Sequence, residues 1–144
     1  MNEKQLKDLI DRVLEKLDLY SKDAADLVLK TMKVESNLKY IRQLNDGIAR
    51  GMGQCEPWVA VDICENYLKY REDLMKKVAE ACLLDWRYFL EPKEVDWRFI
   101  LTTNLAAQIS VCRLHYRRVP KKLPTTLEEQ AKYWKEYYNT AKGA

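Results

Sequence analysis

Three of the four glycines in this chain, Gly47, Gly51 and Gly53, fall in one short stretch, while almost everything around them has helical periodicity. Glycine supplies backbone conformations that other residues avoid, so that stretch is where a regular helix must stop. With only four glycines and four prolines in 144 residues, turns are few and the regular elements must be long. Such a balance favours a mostly helical domain, and the length suits one domain over 1–144 with no room for a second.

Leu6, Leu9, Ile10, Val13, Leu14 and Leu17 recur at spacings of three and four, one apolar stripe on a first helix. Asp18 to Tyr20 break it, and Ser21 can cap a second helix with Asp23 in its first turn. That helix carries Ala24, Leu27, Val28, Thr31 and Met32 and runs into Val34-Glu35-Ser36, so the two should pack as a hairpin. From Asn37 to Pro57 the pattern fails, and the one β feature with room to form is a short hairpin within 39–55. Pro57 suits the first turn of a third helix, whose buried side is assigned to Trp58, Val61, Ile63, Cys64, Tyr67 and Leu68. Arg71 to Leu84 reads as another helix, with Leu74, Val78, Ala81 and Cys82 inward. One long helix is predicted from Glu94 to Arg118, bearing Trp97, Ile100, Leu101, Leu105, Ile109, Cys112 and Tyr116, and stopped by Pro120 and Pro124. Thr126-x-x-Glu129 has the pattern of a capping box opening a last helix through Tyr138. The predicted fold class is all-α.

A net charge of +3 is too weak to argue for nucleic acid, though it would help approach to an anionic bacterial envelope. The four cysteines stand far apart and His115 is the single histidine, so no metal site and no cofactor are expected. Buried, reduced thiols made in a cytoplasm are the simpler reading. The N-terminus is charged and amphipathic rather than apolar, and no run approaches a membrane span.

Chemistry is expected at one junction. Glu35 ends an apolar helix just before the Gly-rich segment, with Met32, Val34 and Leu38 around it. Burial would disfavour its charged form, and the C-terminal end of the helix dipole acts in the same direction. A protonated acid is what glycosidic cleavage requires, since the leaving oxygen must receive a proton. Position alone leaves open a surface glutamate that happens to end a helix.

The local motifs add to this. Val34-Glu35-Ser36 followed by Gly51-Met52-Gly53-Gln54 resembles the Glu-Ser and Gly-Leu-Met-Gln motifs of lytic transglycosylases. The ordered set Tyr20–Ala24, Val34–Ser36, Tyr40–Leu44, Gly47–Pro57, Tyr67–Arg71 and Tyr133–Thr140 is similar to that of small tailed-phage particle proteins with a lysozyme-like domain. Arg50, Gly53 and Cys55 stand where that family usually has apolar residues, and Val59 where threonine is common.

The resemblance implies a single lysozyme-like domain that cleaves peptidoglycan with Glu35 as catalytic acid. Attack by the sugar's own C6 hydroxyl would make the protein a lytic transglycosylase. Attack by water, oriented by Asp46 or Glu56, would make it a lysozyme. Glu56 serves equally well as an acidic residue at the start of the third helix. Ser36 and Gln54 would contact saccharide, and the late aromatic motif would contribute Tyr133 or Tyr138 to the cleft. Helical spacing sets Tyr133 with Tyr137 and Trp134 with Tyr138, and one of these pairs should be core. Arg113 and Tyr116 are further cleft candidates, whereas His115 reads as structural or surface. The implied partners are peptidoglycan strands and other virion proteins of tail or neck. The chain would be made in the host cytoplasm, carried in the particle and active at the host wall. The alternative is a virion structural or adaptor protein with this fold and little or no activity.

Overall fold

A computed structural model describes residues 2–36 and 55–139. Among these the regular structure is helical and no strand occurs. The elements are α1 (Glu3–Lys16), α2 (Lys22–Ser36), α3 (Pro57–Asn66), α4 (Glu72–Cys82), α5 (Arg87–Leu90), α6 (Glu94–Thr103), α7 (Leu105–Arg117) and α8 (Leu127–Tyr133). A 3₁₀ turn, Leu68–Tyr70, precedes α4, and α8 continues into a π-helical segment, Trp134–Asn139. The hairpin expected within 39–55 lies outside the described residues apart from Cys55.

α1 starts at Asn2, whose side chain accepts from the Gln5 N–H at 3.0 Å. Its stripe buries Leu6, Ile10, Val13, Leu14 and Leu17, with Leu9 half-buried at the margin. Asp18 takes a left-handed conformation, φ 60°, and the Leu19 N–H returns to the Leu14 carbonyl at 3.0 Å. This closes α1 as a Schellman motif. Ser21 Oγ then accepts from the Ala24 N–H at 3.0 Å, capping α2 as its sequence suggests. α1 and α2 pack against each other as the short connection requires.

α7 is the axis of the molecule. Every residue from Ala107 to Tyr116 is buried, and α7 touches α1, α2, α3, α4, α6 and the π segment. A helix buried on all sides belongs at a centre rather than on a surface.

The single helix expected over Glu94–Arg118 is two. Asn104 is extended (φ −113°, ψ 101°), its Oδ1 accepts from the Ala107 N–H at 3.0 Å and its Nδ2 donates to the Cys82 carbonyl at 2.9 Å. Capping α7 and tying it to α4 outweighs continuing the helix, so the chain turns there.

Two helical faces are also rotated from expectation. α3 buries Val59, Ala60, Ile63 and Cys64, while Trp58 is exposed and Val61 half-buried. α4 buries Met75, Val78, Ala79 and Cys82, while Leu74 and Ala81 sit at the edge. α5 was not anticipated. It seats Phe89 edge-on against Trp97 at 5.3 Å, and the Trp97 indole donates to the Tyr88 carbonyl at 2.9 Å.

Candidate functional site

Glu35 occupies the last turn of α2 and is half-buried. What faces it is set by α8. Thr126 Oγ1 accepts from the Glu129 N–H at 3.2 Å and donates to the Glu129 carboxylate at 2.9 Å, which fixes the start of that helix. Gln130 then bridges to α2, with Nε2 donating to Asp26 at 2.7 Å and Oε1 accepting from Lys30 Nζ at 2.9 Å. Burial would raise the Asp26 pKa, but these hydrogen bonds and the Lys30 charge hold it below the ordinary carboxylate range. One turn further on, the Trp134 indole N–H donates to Glu35 Oε2 at 2.6 Å. The two helices thus run in the same direction along this seam, and an apolar groove of about 160 Å³ lined by Leu27, Val34, Leu127 and Trp134 lies between them.

Behind Glu35 is a layer of buried rings. Tyr116 is stacked on Tyr138 with centroids 5.3 Å apart and lies 5.5 Å from Tyr133. The Tyr116 hydroxyl is 2.6 Å from Thr31 Oγ1, itself buried one turn before Glu35. Burial drives the pKa of the Tyr116 and Tyr138 hydroxyls and of the Cys112 thiol upward, and the Glu35 charge adds to each. Cys55, at the threshold of α3, lies within electrostatic range of the same Cys112 and Tyr138. Glu35 and Cys55 therefore both act on the same pair of side chains.

The candidate residues separate clearly. Glu35, Tyr116 and Tyr138 come together, but the two tyrosines form the wall behind the carboxyl and are each only 1% exposed. Tyr133 is buried beside Tyr116, with its hydroxyl lacking a hydrogen-bond partner. Glu56 accepts from the Trp58 indole across the first turn of α3. Arg113 lies at the edge of this cluster, where its charge acts on Cys112 and Tyr133, but it does not face Glu35. Its Nε donates to the Leu19 carbonyl at 3.1 Å, near the opposite end of α2. Of Ser36 only the backbone, as the last residue of α2, is described, and Gln54 and Asp46 lie outside the described residues.

Trp134 is the side chain beside Glu35 that sequence reasoning missed. A half-buried indole needs an acceptor for its N–H, and a carboxylate at the end of the neighbouring helix was the available signal.

His115 is buried, with Nδ1 2.8 Å from Arg118 Nη2 and its ring against Tyr138 at 4.8 Å. Since a guanidinium only donates, Nδ1 is the acceptor and the imidazole is neutral. Burial first, and the Arg118 charge second, hold it down at about 4. All four cysteines are buried and unbridged. Burial pushes the Cys64 thiol up to about 12 and the Cys82 thiol to about 11. Among the described residues no His, Cys, Asp or Glu group is arranged to hold a metal ion, and no helix is long and apolar enough to cross a membrane. No family model, curated protein or solved structure matches this chain.

Proposed function

We propose that this protein cleaves the bond between N-acetylmuramic acid and N-acetylglucosamine in peptidoglycan, with Glu35 as general acid and then general base, as a component of a tailed-phage particle. The observation that carries this reading is the setting of Glu35. A half-buried carboxyl in the last turn of α2 is oriented by the Trp134 indole and backs onto buried rings, on which Cys55 also acts. The motif resemblance supplies the substrate class.

In the transglycosylase form, the Glu35 carboxyl gives its proton to the glycosidic oxygen as the C1–O bond breaks. The C6 hydroxyl oxygen of the same muramic acid bonds to C1, and its proton returns to Glu35. Water is neither consumed nor released, and the product is a 1,6-anhydro sugar. If water replaces that hydroxyl, the reaction is hydrolysis. Trp134 acts by fixing the rotamer of the carboxyl, which keeps the proton aimed at one point.

One observation favours a second reading, a virion structural or adaptor protein that has kept the fold. Tyr116, Tyr138 and Arg113, three of the side chains expected to meet saccharide, are each at most 6% exposed. Digestion of purified peptidoglycan by the protein and by Glu35→Gln, with mass spectrometry of the products, decides between the two. Anhydro-muropeptides or new reducing ends released by the parent and reduced at least a hundredfold in the variant support the enzyme. No release by a folded parent sinks the enzyme and leaves the structural reading.

A further inference from the structure

Arg113 carries a buried charge answered among the described residues by one carbonyl, that of Leu19, and by no carboxylate. It is 6% exposed, its Nη1 has no hydrogen-bond partner, and no carboxylate among the described residues pairs with it. Buried charges are ordinarily paired, because an isolated one loses its hydration with nothing in return. Burial and the neighbouring Arg117 charge depress its pKa, as expected for a cation lacking a counter-ion.

The same side chain forms part of the wall of a surface pocket of about 310 Å³. Exposed Arg117 and Lys121 line it too, as do Tyr20 and Ser21. Ser21 is the first residue before α2, so the N-terminus of that fifteen-residue helix opens here. Its first backbone N–H groups have no acceptor within the helix, and its dipole favours an anion. The one carboxylate in the lining, Asp18, is already engaged by Lys77 at 3.1 Å. Three cations and a helix N-terminus thus meet with a single, committed anion among them. A dianion matches that surplus better than a monoanion does.

We propose that this pocket binds a dianionic phosphate group, either free or as a small phosphate monoester, held by Arg113, Arg117 and Lys121 at the start of α2. The pocket is larger than the anion needs, and the Tyr20 ring with Leu19 and Leu123 offers an apolar wall for an ester substituent. The pocket opens at the start of α2 and Glu35 lies at its end, about 22 Å along the helix, although Tyr116, whose ring stands behind Glu35, also reaches the pocket wall. The proposal makes no use of Glu35 or of the glycosidase reading.

The test is titration calorimetry of the whole protein with inorganic phosphate, methyl phosphate and acetate at constant ionic strength. Saturable one-site binding of phosphate is expected, at least tenfold weaker in the double variant Arg117→Ala/Lys121→Ala and unchanged in Glu35→Gln. Both substituted residues are exposed, so the fold is retained and circular dichroism verifies it. Methyl phosphate binding more tightly than phosphate assigns the site to esters, and binding no more tightly assigns it to the free anion. Absence of saturable phosphate binding, undiminished binding in the double variant, or acetate binding as tightly as phosphate each overturns the proposal.

Discussion

Two nitrogen-bound hydrogens place the side chains around Tyr138. The Trp134 indole holds Glu35, while His115 is held neutral between Arg118 and the Tyr138 ring. The second arrangement has a thermodynamic consequence. In the unfolded chain His115 takes up a proton near its ordinary 6.5, whereas in the fold it does so only at about 4. Between those values the unfolded state binds more protons, so stability contributed by neutral His115 is complete above pH 6.5. It is lost as pH falls towards 4, by on the order of 3 kcal/mol. Urea midpoints measured between pH 7.5 and 4.5 should fall accordingly, and His115→Gln should remove that part of the slope. An unchanged slope in the variant would locate the acid sensitivity elsewhere. At this scale the place of Glu35 in the last turn of a helix was legible, because it ends a clear apolar stripe just before the Gly-rich stretch of the sequence. Trp134 was not, because facing was argued on a 3.6-residue period. The segment from Trp134 onward is π-helical and departs from that period.

Helix ends explain where the elements lie. α4 closes with Leu83 in a left-handed conformation, φ 55°, and with the Leu84 N–H returning to the Ala79 carbonyl at 3.0 Å. This is the ending seen at Asp18, but with a residue whose Cβ is crowded there. Leu83 is 93% exposed, so its side chain gains little from burial in exchange. Leu83→Gly is expected to stabilise the protein by about 0.5–1 kcal/mol, the relief of crowding being partly offset by the freer unfolded chain. Leu83→Val should destabilise it, and chemical denaturation of the pair checks both signs. Helix starts were readable at Ser21 and Thr126, where a side chain caps its own element next to a clear break in the apolar pattern. The break at Asn104 escaped because one of its two hydrogen bonds goes to Cys82, twenty-two residues away. Periodicity within a segment carries no trace of such a partner. The rotated faces of α3 and α4 have the same origin, since which side is buried depends on where α7 lies.

For the molecule as a whole, the central fact is one buried helix with the others laid against it. An all-α domain was legible from scarce glycine and proline and from the apolar stripes. The arrangement around α7 was not, because α7 includes Gln108, Arg113 and His115 among its buried residues and reads as amphipathic in isolation. The same packing encloses every thiol. With Cys64 and Cys82 pushed up to about 12 and 11 and Cys112 higher still, little thiolate exists at neutral pH. An aromatic disulfide reagent should therefore label none of the four in the native protein within minutes and all four in denaturant. Rapid native labelling of even one would show that the core opens far more readily than its packing implies.

The bond between Trp134 and Glu35 also joins residues ninety-nine positions apart. A ribosome adding about 5–20 residues per second completes Glu35 on the order of 5–20 s before it reaches Trp134. Throughout that interval α1 and α2 can pair locally, while the carboxyl lacks its indole and the Tyr138 ring, and for most of it the Tyr116 ring as well. The nascent chain thus carries its acidic residue long before the surroundings that would aim it, and the site is completed by nearly the last of the described residues to be made.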